Sequence, residues 1–508
     1  MLARLRSAAV LGIEAYLVDV EVDLSNGLPS FATVGLPQGA VKEGRERVTA
    51  ALLNSGFEFP LRRITVNLAP ADVRKEGSAF DLPVALGVLA ASGQLPAGAL
   101  DGQIFLGELG LQGDLRPVRG ALSMALAARS AGATGVMLPA ANVAEAAVVN
   151  AVRVFGADSL LQVMRHLTGA ALIPAAYSDS TARVQPAAAD AADFADVRGQ
   201  LAAKRALEVA AAGGHNLLMV GPPGAGKTML ARRLPSILPG LTLDEAIEIT
   251  RIHSVAGLLP SGAALLGSRP FRAPHHTISD AGLVGGGSTP RPGEVSLAHG
   301  GVLFLDELPE FHRHVLEVLR QPMEDGVVCL SRALARLSFP ARFTLVAAMN
   351  PCQCGYLGSP ARPCSCSAQM IERYLARISG PLLDRIDIHL RVPALPFRDL
   401  AGESTAEPSL AIRARVETAR VRQRTRFRAQ RGLHANAHMS SREVRRHCRQ
   451  TPELAALLHA AVERLGLSAR GCHRVLKVAR TIADLAGAEH LEPVHVREAI
   501  QYRSVNKV

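Results

Sequence analysis

Residues 217–228, Leu-Leu-Met-Val-Gly-Pro-Pro-Gly-Ala-Gly-Lys-Thr, join a short apolar run to the spacing G-x-x-x-x-G-K-T. The apolar run 217–220 reads as a buried strand, and an amphipathic helix starts around Leu230–Leu234. A glycine-rich loop in that context turns successive backbone N–H groups toward a phosphate, and the helix N-terminus favours its negative charge. Gly221, Pro222, Pro223, Gly224, Ala225 and Gly226 would form the cradle. Lys227 would reach the β- and γ-phosphates of ATP, and the Thr228 hydroxyl would hold Mg²⁺. The chain has six lysines against fifty arginines, so a lysine at this position is not compositional drift.

Farther along, Gly301-Val302-Leu303-Phe304-Leu305 reads as a second buried strand, ending in Asp306 and Glu307. Two carboxylates at such a strand end suit phosphoryl transfer. Asp306 would support Mg²⁺ through its water shell, and Glu307 would polarise the attacking water. A third apolar strand, 343–349, ends at Asn350, whose amide would hold the same water. Directly after it, Cys352, Cys354, Cys364 and Cys366 form C-x-C-x9-C-x-C. Four soft ligands within fifteen residues, with glycine and proline between them, suit a structural Zn²⁺, although C-x-C is tighter than the usual C-x2-C.

These residues need a large scaffold, and 508 residues allow about three domains. A formal net charge of +11 fits a polyanionic partner, although an arginine-rich, tryptophan-free composition also fits a GC-rich genome. Seven cysteines, four of them clustered, do not form a secreted disulfide framework. The N-terminus places Arg4 and Arg6 before an apolar run, as a signal peptide does, but Glu14, Asp19 and Glu21 interrupt it. No run is long enough to span a bilayer, so the expected location is the cytoplasm, without membrane. Residues 1–24 read as strand, followed by a helix at 40–54, a strand at 64–68, a helix at 81–91, a hairpin near 104–113, a helix at 119–131 and a strand at 136–138. Residues 171–192 are rich in Ala, Pro and Ser and read as a linker.

Residues 1–170 resemble the ribosomal-protein-S5-like α/β fold shared by Lon proteolytic domains and the N-terminal domain of Mg-chelatase-like proteins. The resemblance lies in Lys75-Glu76-Gly77-Ser78-Ala79 before an apolar helix, and in Gly107-Glu108-Leu109 with Gly113. Lon chemistry needs a serine nucleophile and a lysine base. Ala79 and Leu122 stand near those places, which implies a non-catalytic domain without protease activity. Phe194-Ala195-Asp196-Val197-Arg198-Gly199-Gln200 resembles the entry to an AAA+ module, where Val197 and Gln200 would line the adenine pocket. Within that module, 193–398, Asn350 takes the sensor-1 place. Ser379 to Asp387 resembles the arginine-finger segment of Mg-chelatase and minichromosome-maintenance ATPases. Arg385 would then reach the γ-phosphate of a neighbouring subunit, the plain alternative being an ion pair with Asp384 or Asp387. Residues 268–300, with Arg272, and 325–341, with Arg332 and Arg336, resemble the helix-2 insert and pre-sensor-1 hairpin that face the pore in this clade. Arginines there would contact nucleic-acid phosphates.

Residues 399–508 resemble the Mg-chelatase-type helical lid, with Arg470 in Ser468-Ala469-Arg470-Gly471 as sensor 2 and Arg474 the alternative. The run 411–431, including Arg422 and Arg424, holds eight arginines against one acid and suits a phosphate-tracking surface. The whole chain thus resembles the YifB/ComM family of Mg-chelatase-like AAA+ ATPases. That resemblance implies a multidomain α/β fold with a parallel AAA+ sheet and a helical lid. It also implies a homo-hexamer with ATP and Mg²⁺, single-stranded and branched DNA as partners, and helicase action in branch migration during natural transformation. The alternative from another class is a remodelling ATPase that acts on a protein partner, as magnesium chelatase's does.

Overall fold

The structure is a computed structural model that describes residues 1–177, 192–287, 290–332, 335–359, 362–394, 406–430 and 433–503, the side chains of Ala97, Ser331, Arg332, Ala335 and Arg336 excepted. Most of the expected linker therefore lies outside the described residues. The chain divides into two compact units, each with its own core.

The first unit comprises Met1–Gln185, Thr242–Gly267 and Ser331–Phe339. Its strands are β1 (Leu2–Leu11), β2 (Glu14–Ser25), β3 (Ser30–Val34), β4 (Arg63–Ala69), β5 (Gln103–Phe105), β6 (Gly135–Pro139) and β7 (Arg153–Ala157). They form one mixed sheet in the order β3-β4-β2-β1-β5-β6-β7. The stretch read as a single strand over 1–24 is a hairpin, with Leu2 opposite Asp23 and Leu11 opposite Glu14. Gly12, at φ +67°, supplies the left-handed turn residue that reverses the chain. In β2, Val18, Val20, Val22 and Leu24 are buried and the acids between them are not, the alternation of a strand with one wet face. The helix Asp81–Ala91 is buried on every side. It lies so close to the sheet that a Cβ on Gly87 would sit 2.4 Å from Val22.

The helix Leu243–Ala256 lies in sequence between elements of the second unit yet belongs to the first. Thr242 opens it with a reciprocal cap, its hydroxyl accepting from the Glu245 N–H while the Glu245 carboxylate accepts from Thr242 N–H. Arg251 donates to Glu14 at 2.7 Å and to the Ile13 carbonyl at 3.1 Å. Ser254 donates to Glu145 at 2.5 Å, and Asn142 donates to its other oxygen at 2.7 Å. Burial pushes the Glu145 carboxyl up, and these donors oppose that shift.

The second unit comprises Pro186–Leu241, Ser268–Leu330 and Pro340–Val508. Strands β8 (Leu217–Val220), β9 (Phe271–Arg272), β10 (Val302–Leu305), β11 (Thr344–Met349) and β12 (Ile388–Arg391) form an all-parallel sheet in the order β9-β10-β11-β8-β12. Their near-continuous apolar sequences fit strands covered on both faces. Phe271 and Arg272, expected within an insertion, pair with Val302 and Leu303 as the edge strand of this sheet. Residues 327–332 and 335–340 are the strands of a separate two-stranded sheet, at the place expected for the hairpin, with Ser331–Phe339 grouped in the first unit. The helices Leu201–Gly213, Lys227–Ile237, Ser409–Phe427, Pro452–Leu465, Ala469–Ala486 and Pro493–Gln501 share one hydrophobic core with the sheet. Among the described residues no helix is long and apolar enough to cross a membrane.

Removing the buried acceptor of Ser254 and Asn142 should loosen the helix Leu243–Ala256. Glu145→Ala is expected to cost about 2–3 kcal/mol, read as a lowered denaturant midpoint for the first unit. An unchanged midpoint would show that these bonds contribute nothing net.

Candidate nucleotide-binding site

Strand register brings the chemistry together. Val220 pairs with Met349, and Leu305 pairs with Ala347, so the residues that follow β8, β10 and β11 leave the sheet at one edge. Those residues are Gly221, Asp306 and Asn350. Ligands of open parallel sheets bind outside the carboxyl ends of the strands, which is this edge.

The loop 221–226 depends on absent side chains at two points. A Cβ on Gly221 would lie 2.1 Å from the Val392 carbonyl oxygen, and Gly226 opens the following helix at φ +85°. The helix begins at Lys227, and its first N–H groups have no intrahelical acceptor, which presents donors to an anion. Lys227 is 9% exposed. Its Nζ donates to the Gly221 carbonyl at 2.7 Å, the Pro222 carbonyl at 2.9 Å and Asn350 Oδ1 at 3.1 Å. Burial pushes the Lys227 ammonium down, and Asp306 and Glu307 counter it. A desolvated cation held by three neutral oxygens is a ready partner for phosphate.

Thr228 Oγ1 donates to Asp306 Oδ2 at 2.6 Å, so the hydroxyl and carboxylate expected to support Mg²⁺ already converge. When bound, Mg²⁺ would neutralise phosphate charge there. Glu307 adopts φ +52°, a left-handed conformation that costs a non-glycine residue about 1–3 kcal/mol and is typical of functional strain. Its N–H donates to Asp306 Oδ1 at 3.0 Å, and its exposed carboxylate lies 3.7 Å from His276 Nδ1.

On the flank of the loop, Gln200 (φ +54°) donates to the Ala225 carbonyl at 3.1 Å and the Pro393 carbonyl at 3.2 Å. Val197 is buried in the same core as Ala225. Arg233, on the helix that follows the loop, donates to the Asp193 carbonyl and to Asp196, which ties this segment to the P-loop helix.

Arg385 is nearly buried and pairs with Glu324 at 2.5 Å, not with Asp384 or Asp387. Its Nη1 donates to the Pro381 carbonyl, and its Nε has no partner among the described residues. Arg385 and the exposed Arg470 line one cavity of about 640 Å³, together with Arg320, Val220 and Met349. Arg474 is committed elsewhere, to Asp387 at 2.7 Å and the Arg385 carbonyl at 3.0 Å. Burial opposes the charge of Asp387, but Arg474 and His215 outweigh it and hold this carboxyl well below the usual carboxylate range. Sequence reasoning missed Glu324, His215 and the contact of His276 with Glu307. Glu324, one of two adjacent acids on the short helix Arg320–Asp325, carries no local signal.

The arginines expected at DNA divide into groups. Arg272 makes a two-bond ion pair with Glu294, both bonds 2.6 Å. The side chains of Arg332 and Arg336 lie outside the described residues. On the helix Ser409–Phe427, Arg413 pairs with Glu417, Arg415 with Glu208 and Glu407, and Arg426 with Asp484. Arg422 and Arg424 are exposed and, among the described residues, make no side-chain hydrogen bond or ion pair, as is also true of Arg428 just beyond the helix. The Sγ atoms of Cys352, Cys354, Cys364 and Cys366 all lie within 4.8 Å of one another.

A P-loop lysine, a hydroxyl–carboxylate pair and a strained acid at one sheet edge define a nucleotide-binding core. Comparison with known proteins gives its lineage. Residues 193–400 match the family described as magnesium chelatase, subunit ChlI, residues 20–142 match subunit ChlI of Mg-chelatase, and residues 406–503 match its C-terminal region. The competence protein ComM of Haemophilus influenzae is 47% identical over 509 residues, covering 99% of this chain and 98% of that one. YifB of Escherichia coli is 45% identical over 511 residues, covering 100% and 98%. The magnesium-chelatase 38 kDa subunit of Rhodobacter capsulatus is 27% identical over 244 residues, covering 43% of this chain and 65% of that subunit. The chain belongs to the YifB/ComM family of Mg-chelatase-like AAA+ ATPases.

Three substitutions test this geometry. Lys227→Ala should cut ATP hydrolysis by about a hundredfold or more, whereas Glu307→Gln should abolish turnover and leave bound ATP trapped, as read by nucleotide retention on filters. Asp387 has a folded pKa below its unfolded value near 3.8, so its contribution to stability is full above that pH and shrinks as pH falls below it. Asp387→Asn should lower the melting temperature at neutral pH and flatten the acid-side decline of the wild type.

Proposed function

We propose that this protein is an ATP-driven ring motor that acts on DNA, a helicase promoting branch migration of recombination intermediates during natural transformation. The observation that carries the reading is an intact hydrolytic set in a chain alike, over its full length, to a competence protein. Within each subunit, Lys227 and the first N–H groups of its helix bind the phosphates, while Glu307 and Asn350 place the attacking water. Val197 and Gln200 border the adenine. Arg470, exposed beside Arg385, is the better placed sensor, because Arg474 is spent on Asp387. Arg385 exchanges its Glu324 carboxylate for the γ-phosphate of a neighbouring subunit, so the working form is a ring, a hexamer as in the family's competence members. Arg422 and Arg424 are unspent charge for single-stranded or branched DNA, with Arg332 and Arg336 on the hairpin. The N-terminal unit is S5-like and has no peptidase role, since Leu122 is buried and the Ser78 hydroxyl is bonded to Glu108.

A second reading is a remodelling ATPase that acts on a protein partner, which the likeness to a magnesium-chelatase subunit supports. It predicts stimulation by a partner protein and indifference to DNA.

The deciding experiment is unwinding of a four-way DNA junction with ATP, alongside the ATPase rate with and without DNA. DNA should stimulate turnover, and binding should weaken with salt. Arg422→Ala and Arg424→Ala should each lower the slope of log affinity against log salt by about one. An assembled, hydrolysing ring that neither binds nor unwinds DNA would overturn the reading.

A further inference from the structure

The four-cysteine loop is a built site. Sγ of Cys352 lies 3.4 Å from that of Cys354 and 3.7 Å from that of Cys364, and the Cys354–Cys364 separation is 3.5 Å. A disulfide would require about 2.05 Å, and all four cysteines are free. A zinc ion bound to four sulfurs at about 2.3 Å has tetrahedral edges of about 3.8 Å, close to these separations. Backbone amides also point at the sulfurs, Cys354 N–H at Cys366 Sγ and Cys366 N–H at Cys364 Sγ, both 3.4 Å. N–H groups so placed orient thiolate ligands and temper their charge.

The start of this loop lies against the P-loop. Cys352 follows Asn350 by two residues, and Asn350 accepts the Lys227 ammonium. Gly355, at φ +86°, brings its backbone against the P-loop, since a Cβ there would fall 2.6 Å from Pro223 Cδ.

We infer that the four thiolates bind one Zn²⁺ whose task is to hold Asn350 and Pro223 in place beside the nucleotide. The metal site stands on the sulfur geometry alone, and its task rests on the reading of the adjacent loop as an ATP site. Bound metal ties the residues just after Asn350 to Cys364 and Cys366; without it that cross-link is lost.

The test uses the full-length protein purified under reducing conditions without chelator. Elemental analysis should find about one zinc per chain. Replacement by Co²⁺ should give the intense visible bands of tetrahedral thiolate coordination. Cys364→Ser and Cys366→Ser should each weaken metal retention about 10–100-fold. Metal-free protein that yields only the faint bands of octahedral Co²⁺ would overturn the site. Zinc removal should leave binding of a fluorescent ATP analogue within about threefold while lowering turnover about tenfold or more. Turnover unchanged by zinc removal would overturn the assigned task. Zinc-loaded protein that failed to bind the analogue would instead count against the nucleotide reading, with the metal result standing.

Discussion

The contact on which the catalytic arrangement depends is that of the Lys227 ammonium with three uncharged oxygens, two from its own loop and one from Asn350. Burying a cation among neutral acceptors is unfavourable unless an anion completes its shell. The same contact joins two separate segments, the loop after β8 and the residue after β11. It exists because Val220 and Met349 are in register, so that both segments leave the sheet at one level. A shift of either strand would separate the lysine from the amide and Thr228 from Asp306.

The remainder of the second unit holds that edge in place. The all-parallel sheet supplies the strand ends, and the C-terminal helices close one hydrophobic core with it, so that Arg470 and Arg474 lie on a helix packed into the same core. Buried Asp387 and His215 and half-buried Arg474 cluster beside residues 379–387, where Arg474 also holds the Arg385 carbonyl. The hydrogen-bonded Arg474–Asp387 ion pair restrains the backbone it touches. Glu324 meanwhile keeps the Arg385 guanidinium paired within its own chain.

Much of the site was legible in the sequence because its chemistry is local. Glycines must stand where the loop needs them, and a lysine and threonine must open the next helix. Two acids and an amide must end apolar strands. The remainder was not legible because it depends on long-range partners. Counting eight arginines in 411–431 says nothing about which are neutralised; Arg415 finds Glu208, some two hundred residues earlier in the sequence, and Arg426 finds Asp484. Arg272 looked available until its pairing with Glu294 came into view. The hairpin at Gly12 was hidden because a single glycine is the only turn signal in an otherwise strand-like run, and the placement of the helix Leu243–Ala256 with the first unit has no local signature at all.

The central claim is that hydrolysis needs Lys227 from one subunit and Arg385 from the next. Its most direct test mixes two inactive variants, Lys227→Ala and Arg385→Ala, and measures ATP turnover. If the site is shared, mixed rings contain interfaces with an intact lysine facing an intact arginine, and turnover returns to a substantial fraction of the wild-type rate. A mixture as inactive as either variant alone, with assembly verified, would contradict the account.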